Sequence, residues 1–331
     1  MSSSVLSAAL THSVFGGFVN RFRNGTMDVW QRGTAMTVST TGAYTADGWI
    51  VIPAGASVTA QQAAGRLLTS KALQITGATG CTGVLFQQRI ESFVAAPLSG
   101  QVVTVQWQVF NNTGGVISPA LTVQHCNAPD NLVSLTSDVV GAVLQSCPNG
   151  QWTRVAYSFV ASTGTVNGLI ATLDFGNNFS ANTKTISVAE ADIRVTPGLT
   201  AGLNGNPPAP ELRPIFTELA FCQRYLPAWL GLNGCFAVGQ AVSTGAVGAA
   251  LPYPVTPRIA PNGMITSAAA DFKGLAGGGT LNAFSSVILN GANLSALQIN
   301  CTGASGFTAG NAVSIYGSSA SDFILATGCE L

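Results

Sequence analysis

The chain has 331 residues, 47% of them apolar, with 13 Lys and Arg set against 13 Asp and Glu. Charged residues make up 8% of the chain, against roughly a quarter in an average soluble protein. With so few cations, and those scattered, the basic stripe that a phosphate backbone requires is missing, and nucleic acid is not an expected partner.

Met1 to Val19 form an N-terminal arm. It lacks a positive region ahead of an apolar core, so it is not expected to be a signal peptide. No apolar run reaches the ~18 residues of a membrane helix, and membrane insertion is not expected. The apolar content and the length predict two domains. Strand signals fill residues 20–197. Val103, Val105, Trp107 and Val109 alternate with Thr104, Gln106 and Gln108, a period of two that predicts one buried and one wet face. Val84, Phe86 and Ile90 repeat the pattern, as do Val155, Tyr157 and Phe159, then Leu169, Ala171 and Leu173. Ile186 and Val188 are out of phase with Ile193 and Val195, which predicts a β-bulge near Ala189. Turn clusters such as Asn111-Asn112-Thr113-Gly114-Gly115 separate these runs. The expected architecture is an all-β jelly roll or sandwich.

Residues 198–226 change texture. Pro197, Gly198, Gly202, Gly205, Pro207, Pro208 and Pro210 predict a linker or an arm lying across a surface. A helix is expected from Pro214 to about Tyr225, with Ile215, Leu219 and Cys222 as its packing stripe and Glu218 and Arg224 facing solvent. Residues 227–331 predict a second, smaller β domain of short strands separated by glycine clusters. Its only charged residues are Arg258, Asp271, Lys273, Asp322 and Glu330. So sparse a charge predicts a surface covered by other copies of the chain, in a homo-oligomer.

Candidate chemistry is thin. His12 and His125 are the only histidines, and neither lies in a nucleophile, phosphate-loop or zincin motif. Glu190 and Asp192, at i and i+2, could share a strand face as a carboxylate pair. With Asp28 and Asp174 they could instead hold a structural calcium ion. Neither reading is preferred, and no enzyme and no cofactor are expected. Trp30, Trp49 and Trp152 are candidate glycan platforms, since sugar rings stack on indole while amides bond their hydroxyls; for Trp30 and Trp49 packing beside turns is the competing reading. Trp107 is expected in the core. Seven cysteines carry no Cys-x-x-Cys spacing. Buried free thiols are the simplest expectation, and Cys126 with Cys147 is the candidate disulfide.

The run Asn20-Arg21-Phe22-Arg23-Asn24-Gly25-Thr26-Met27-Asp28-Val29-Trp30-Gln31-Arg32-Gly33-Thr34, then Tyr44-Thr45-Ala46-Asp47-Gly48-Trp49, resembles the opening of a family of bacteriophage tail-fibre and virion structural proteins. Further matches follow in order: Gln88-Arg89-Ile90-Glu91, Leu173-Asp174-Phe175-Gly176, Cys222-Gln223-Arg224-Tyr225 and Pro254-Val255-Thr256. The resemblance implies a jelly roll like that of carbohydrate-binding modules, a connecting helix and a small β domain. It implies a virion part (fibre, spike, collar or decoration), located on the particle, with other virion proteins and host-surface polysaccharide as partners. It also implies a trimer. The alternative is a secreted, non-catalytic carbohydrate-binding protein.

Overall fold

A computed structural model describes residues 17–66, 71–276, 279–303 and 305–331. Most of the N-terminal arm, residues 1–16, lies outside the described residues, as does part of the Gly277-Gly278-Gly279 cluster. The fold is all-β, and among the described residues one α-helix is longer than a single turn, Ile215–Gln223. Among the described residues no helix is long and apolar enough to cross a membrane. The chain divides into two compact units, Met1–Glu218 with Leu331, and Leu219–Glu330.

The first unit holds strands β1 (Ala35–Val38), β2 (Ala43–Tyr44), β3 (Trp49–Ala54), β4 (Val58–Ala64), β5 (Lys71–Thr76), β6 (Gly83–Ile90), β7 (Val102–Asn112), β8 (Ala120–Cys126), β9 (Leu135–Val143), β10 (Gln151–Val160), β11 (Leu169–Asp174), β12 (Thr185–Val195) and β13 (Gly202–Leu203). They form a seven-stranded sheet, β1-β4-β5-β12-β7-β10-β13, and a six-stranded sheet, β2-β3-β6-β11-β8-β9. Every pairing is antiparallel. The two inner faces enclose one core. Val103, Val105, Trp107 and Val109 enter it from β7, Val84, Phe86 and Ile90 from β6, and Leu169, Ala171 and Leu173 from β11. The phase slip in β12 is a bulge: its register on β7 jumps between Ala189 and Asp192, and Glu190 takes a positive φ of 51°.

The far face of β7 is not wet. Thr104, Gln106 and Gln108 are all buried, because a segment ninety and more residues later lies over part of that face. Gln106 Nε2 donates to Pro208 O at 2.8 Å, Asn204 Nδ2 to Ser158 Oγ at 3.0 Å and Arg194 Nη2 to Ala209 O at 2.8 Å. Gly202–Leu203 adds a short edge strand to Tyr157–Ser158 of β10. The Pro- and Gly-rich stretch is thus tied to the sheet over Gly202 to Ala209. Its prolines suit that task, since they give up no backbone donor the sheet would need.

The motif residues near the N-terminus are internal framework. Asn24 sits at φ 51°, a left-handed conformation that asparagine tolerates better than most residues. Its side chain accepts from Val29 N at 3.0 Å and donates to Val29 O and Asp47 O. Asp47 in turn accepts from the backbone N–H and the side-chain amide of Gln31. Gly25 is required by proximity, because a Cβ there would stand 2.4 Å from Ala191 O. Arg23 N donates to Gln88 Oε1 at 2.8 Å, and Gln88 Nε2 returns a bond to Arg23 O at 2.9 Å.

The helix departs from the expected stripe. Glu218 is fully buried, whereas Ile215 and Phe216 are 58% and 73% exposed. Glu218 turns inward because its partners are there. Arg213 Nε donates to Glu218 Oε1 at 3.1 Å, and Asn24 N to Oε2 at 2.7 Å. Arg213 also donates to the carbonyls of Asn20 and Phe22. A buried carboxylate held by a guanidinium and a backbone N–H is satisfied where an apolar side chain would leave those donors orphaned.

The second unit contains β14 (Ala228–Leu230), β15 (Gly234–Ser243), β16 (Ala246–Pro252), β17 (Gly263–Thr266), β18 (Phe272–Ala276), β19 (Asn282–Ala283), β20 (Ser286–Ala292), β21 (Ala296–Thr302), β22 (Ala312–Gly317) and β23 (Phe323–Thr327). A three-stranded sheet, β14-β23-β17, faces a seven-stranded one, β19-β18-β22-β15-β16-β21-β20. Their shared core contains Val247, Leu251, Phe272, Leu297, Ile299, Val313, Ile315, Ile324 and Ala326.

Candidate functional site

The three tryptophans proposed as platforms have different fates. Trp49 is fully buried; its ring stacks on Phe86 at a centroid distance of 4.6 Å, and its Nε1 donates to Asn24 O at 3.0 Å. Trp30 is buried, with Nε1 donating to Met27 O at 2.7 Å. Neither presents a ring face to a ligand, because both close the sandwich over the N-terminal motif. Trp152 is half-buried. It lies at the start of β10, paired in register with Phe110, with ring centroids 5.5 Å apart. Trp107 is fully buried, tilted against Phe22.

The register places a polar row beside that aromatic pair, on the outer face of the seven-stranded sheet. Directly paired residues share a face. Gln108 of β7 opposes Arg154 of β10, one pair along the strand from Phe110–Trp152 on that face. On the other side Phe110 opposes Ser187, Ser187 opposes Gln74, and Gln74 opposes Gln61. With its amide oxygen turned toward the cations, Gln108 accepts from Arg66 Nη1 at 2.8 Å and from Arg154 Nε at 3.0 Å. The bulge delivers Glu190 to the same place, with Oε2 3.5 Å from Arg66 Nη1. Gln61 Nε2 donates to Gln74 Oε1 at 2.8 Å.

Gln108, Glu190 and Ser187 are buried and form a floor; Arg66, Arg154, Trp152, Phe110, Gln61 and Gln74 are half-buried around them. Burial pushes the Glu190 carboxyl above its ordinary range, and the Arg66 and Arg154 guanidinia offset this only in part. Its Oε1 has no hydrogen-bond partner. Two guanidinia to one carboxylate leave the patch with a positive surplus, amides of both polarities and one aromatic pair. Such a set can bind a ring that has an apolar face, several hydroxyls and a carboxylate.

The remaining candidates do not assemble. Glu190 and Asp192 are separated by the bulge, and Asp192 is buried against Arg194 and accepts from Glu211 N at 3.0 Å. Both lie on the outer side of the sheet, Asp192 opposite Gln106 and Glu190 beside Arg66, but each carboxyl is engaged by its own partners. Among the described residues no three His, Cys, Asp or Glu side chains converge on a metal position. Asp174 instead accepts from Gly176 N in its own turn at 2.7 Å, so the four acidic residues considered for calcium do not form a cage. All seven cysteines are free thiols. Cys126 ends β8, while Cys147 bridges to Ile117, which precedes the start of β8. The length of that strand separates them by about 20 Å, far beyond the reach of a disulfide. Arg66, Gln108 and Arg154 were missed in the sequence, where no spacing links them.

No protein-family model and no curated protein matches the chain. Three solved structures illustrate what it is similar to. The enzymatically active domain of bacteriophage CBA120 tailspike protein 4 is 11% identical over 54% of this chain and 22% of its own, with TM-score 0.36. The CBM22-1–GH10 modules of Clostridium thermocellum endo-1,4-β-D-xylanase 10B are 13% identical over 45% of this chain and 26% of theirs, with TM-score 0.33. The chain thus spans about a quarter of the length of these two. The CBM22-1 xylan-binding domain of Paenibacillus barcinonensis Xyn10C is 18% identical over 48% of this chain and 92% of its own, with TM-score 0.32.

Proposed function

We propose that the chain is a non-catalytic structural and binding component of a bacteriophage-like particle, and that its first unit contacts host-surface glycan through the polar patch beside Trp152. The observation that carries the binding reading is the Trp152–Phe110 pair set one register step from Gln108, which bridges Arg66 and Arg154. A sugar ring stacks on the indole, the guanidinia and amides take its hydroxyls, and the positive surplus favours polysaccharides that carry carboxylates. The motif resemblance over residues 20 to 265 supports the virion setting. The engagement of Asp192 by Arg194 and the Glu211 N–H, and of Glu190 by Arg66, supports binding without hydrolysis.

Affinity electrophoresis through gels containing acidic or neutral bacterial polysaccharides tests the reading. Retardation by an acidic polysaccharide is expected, and it should be lost in Trp152→Ala and Arg154→Ala variants that keep their melting temperature. Equal mobility of wild type and both variants in every gel would overturn it. Antibody labelling of purified particles tests the setting separately.

A further inference from the structure

The seven-stranded sheet of the second unit has one packed face and one bare one. Val247, Leu251, Ile299, Val313 and Ile315 turn toward the three-stranded sheet. The alternate residues of the same strands turn away from it, and in β15 Val238, Gln240 and Val242 are exposed. β15 shows this most clearly. It occupies the middle of the sheet, where a strand is ordinarily the most buried, yet Ala241 is its only buried residue. Val238 and Val242 are 63% and 60% exposed, and Ile288, two strands beyond β16, is 51% exposed.

The chemistry of the bare face narrows its occupant. Lys273 is the only charged residue in these seven strands. That excludes a polyanion, and a charged protein surface would lose its hydration here with nothing to replace it. Tyr316 is the one aromatic ring directed outward, and it lies toward one side of the sheet beside Lys273, two strands from Val247 and Ala250 of β16. What remains is flat and neutral. Val238, Val242 and Ile288 stand as knobs among Gly248, Ala246, Ala250 and Ala312, and a row of amides crosses them. The register aligns Gln240 with Gly248 and Gly248 with Asn300, while Ala250 aligns with Gln298. Amides carry donors and acceptors together, so a face bearing them is complementary to itself.

The size also fits. Seven strands about 4.8 Å apart and roughly six residues long span about 30 by 20 Å. That is roughly 600 Å² in projection and more as accessible surface, near the ~800 Å² per partner of a standard interface. We propose that this outer face, centred on Val238 and Val242 of β15, is the self-association surface of the protein and that its occupant is a second copy of this chain. The inference concerns only the second unit and holds whether or not the first unit takes a glycan.

Sedimentation velocity of the full chain, from low to high micromolar concentration, is the test. Three chains are compared: wild type, Val238→Glu/Val242→Glu, and Ile288→Lys. All three substituted positions are exposed, so an unchanged circular dichroism spectrum and melting temperature are expected. Wild type should sediment as an oligomer. Each variant should raise the concentration of half-association about tenfold or more. A wild-type chain that remains monomeric throughout would overturn the proposal and assign the face to a different partner. An oligomer of unaltered size and affinity in both variants would overturn it as well.

Discussion

Glu218 accepts a hydrogen bond at 2.7 Å from the backbone N–H of Asn24, a residue 194 positions earlier in the chain. The same carboxylate meets Arg213, whose remaining donors hold the carbonyls of Asn20 and Phe22. Glu218 thus fastens the segment leaving the sandwich to the motif that enters it.

Removing one partner of that clasp is expected to be severe. Glu218→Ala leaves a buried guanidinium without a counter-charge and the Asn24 N–H without an acceptor. A loss of about 3 to 5 kcal/mol is expected for breaking a buried pair from one side. Urea denaturation followed by tryptophan emission reads it, because Trp49 and Trp107 report on the same core. Glu218→Gln, which keeps an acceptor, should lose less. Equal losses in the two variants would show that the charge matters less than the side-chain volume.

Trp49→Ala and Trp152→Ala separate packing from recognition. Trp49 is fully buried on Phe86, and truncation should cost about 3 to 5 kcal/mol; Trp107→Ala should behave alike. Trp152 is half-buried, and its removal should lower the melting temperature far less while abolishing polysaccharide retardation. A Trp152→Ala variant that melts as early as Trp49→Ala would make the ring a packing residue and remove the basis of the proposed site.

The Glu190 carboxyl supplies a pH dependence. Burial raises its pKa above the ordinary glutamate value of about 4.3, so the folded protein holds this proton more tightly than the unfolded chain does. The stability gained from the proton is complete below the unfolded value and is lost as pH rises through the folded one. Glu190→Gln should therefore melt above wild type at neutral pH, and the two curves should converge as pH falls below about 4.3. A variant that melts below wild type at neutral pH would mean that the Arg66 and Arg154 charges outweigh the cost of burial.

Thiol reactivity should single out Cys235. It is the one exposed cysteine of the seven. Burial pushes Cys147 up to about 11 and Cys301 up to about 12, and a protonated, enclosed thiol is inert. A maleimide should modify Cys235 first under native conditions and the others only after denaturation. Reductant should leave the mass of the chain unchanged. Earlier labelling of Cys126 or Cys147 would mean that the end of β8 or the Ile117 bridge opens readily.

Much of the scaffold was legible in local pattern. The alternation at Val103, Val105, Trp107 and Val109 marks an inward face whatever covers the opposite one, and the phase slip near Ala189 marks a bulge. The opposite face of β7 was not legible. Gln106 is buried because Pro208 arrives from far along the chain, and no local period encodes that. Glu218 failed as a solvent residue for the same reason, since its partners include Asn24. The candidate site divides in the same way. Trp152 stands out by residue type alone. Arg66, Gln108, Arg154 and Glu190 come together only through the register of neighbouring strands and one positive φ.

The strand order carries a consequence for synthesis. β12, one of the last strands of the first unit to leave the ribosome, lies between β5 and β7, and β11 lies between β6 and β8. Both sheets therefore keep a gap in the middle, with paired halves and open edges, the six-stranded one until Asp174 has emerged and the seven-stranded one until Val195 has. At about 5 to 20 residues per second, the nascent chain spends roughly two to seven seconds in that state. A pause in translation before β11 would prolong the exposure of those edges to neighbouring nascent chains, whereas a pause after Val195 would leave a sandwich already able to close.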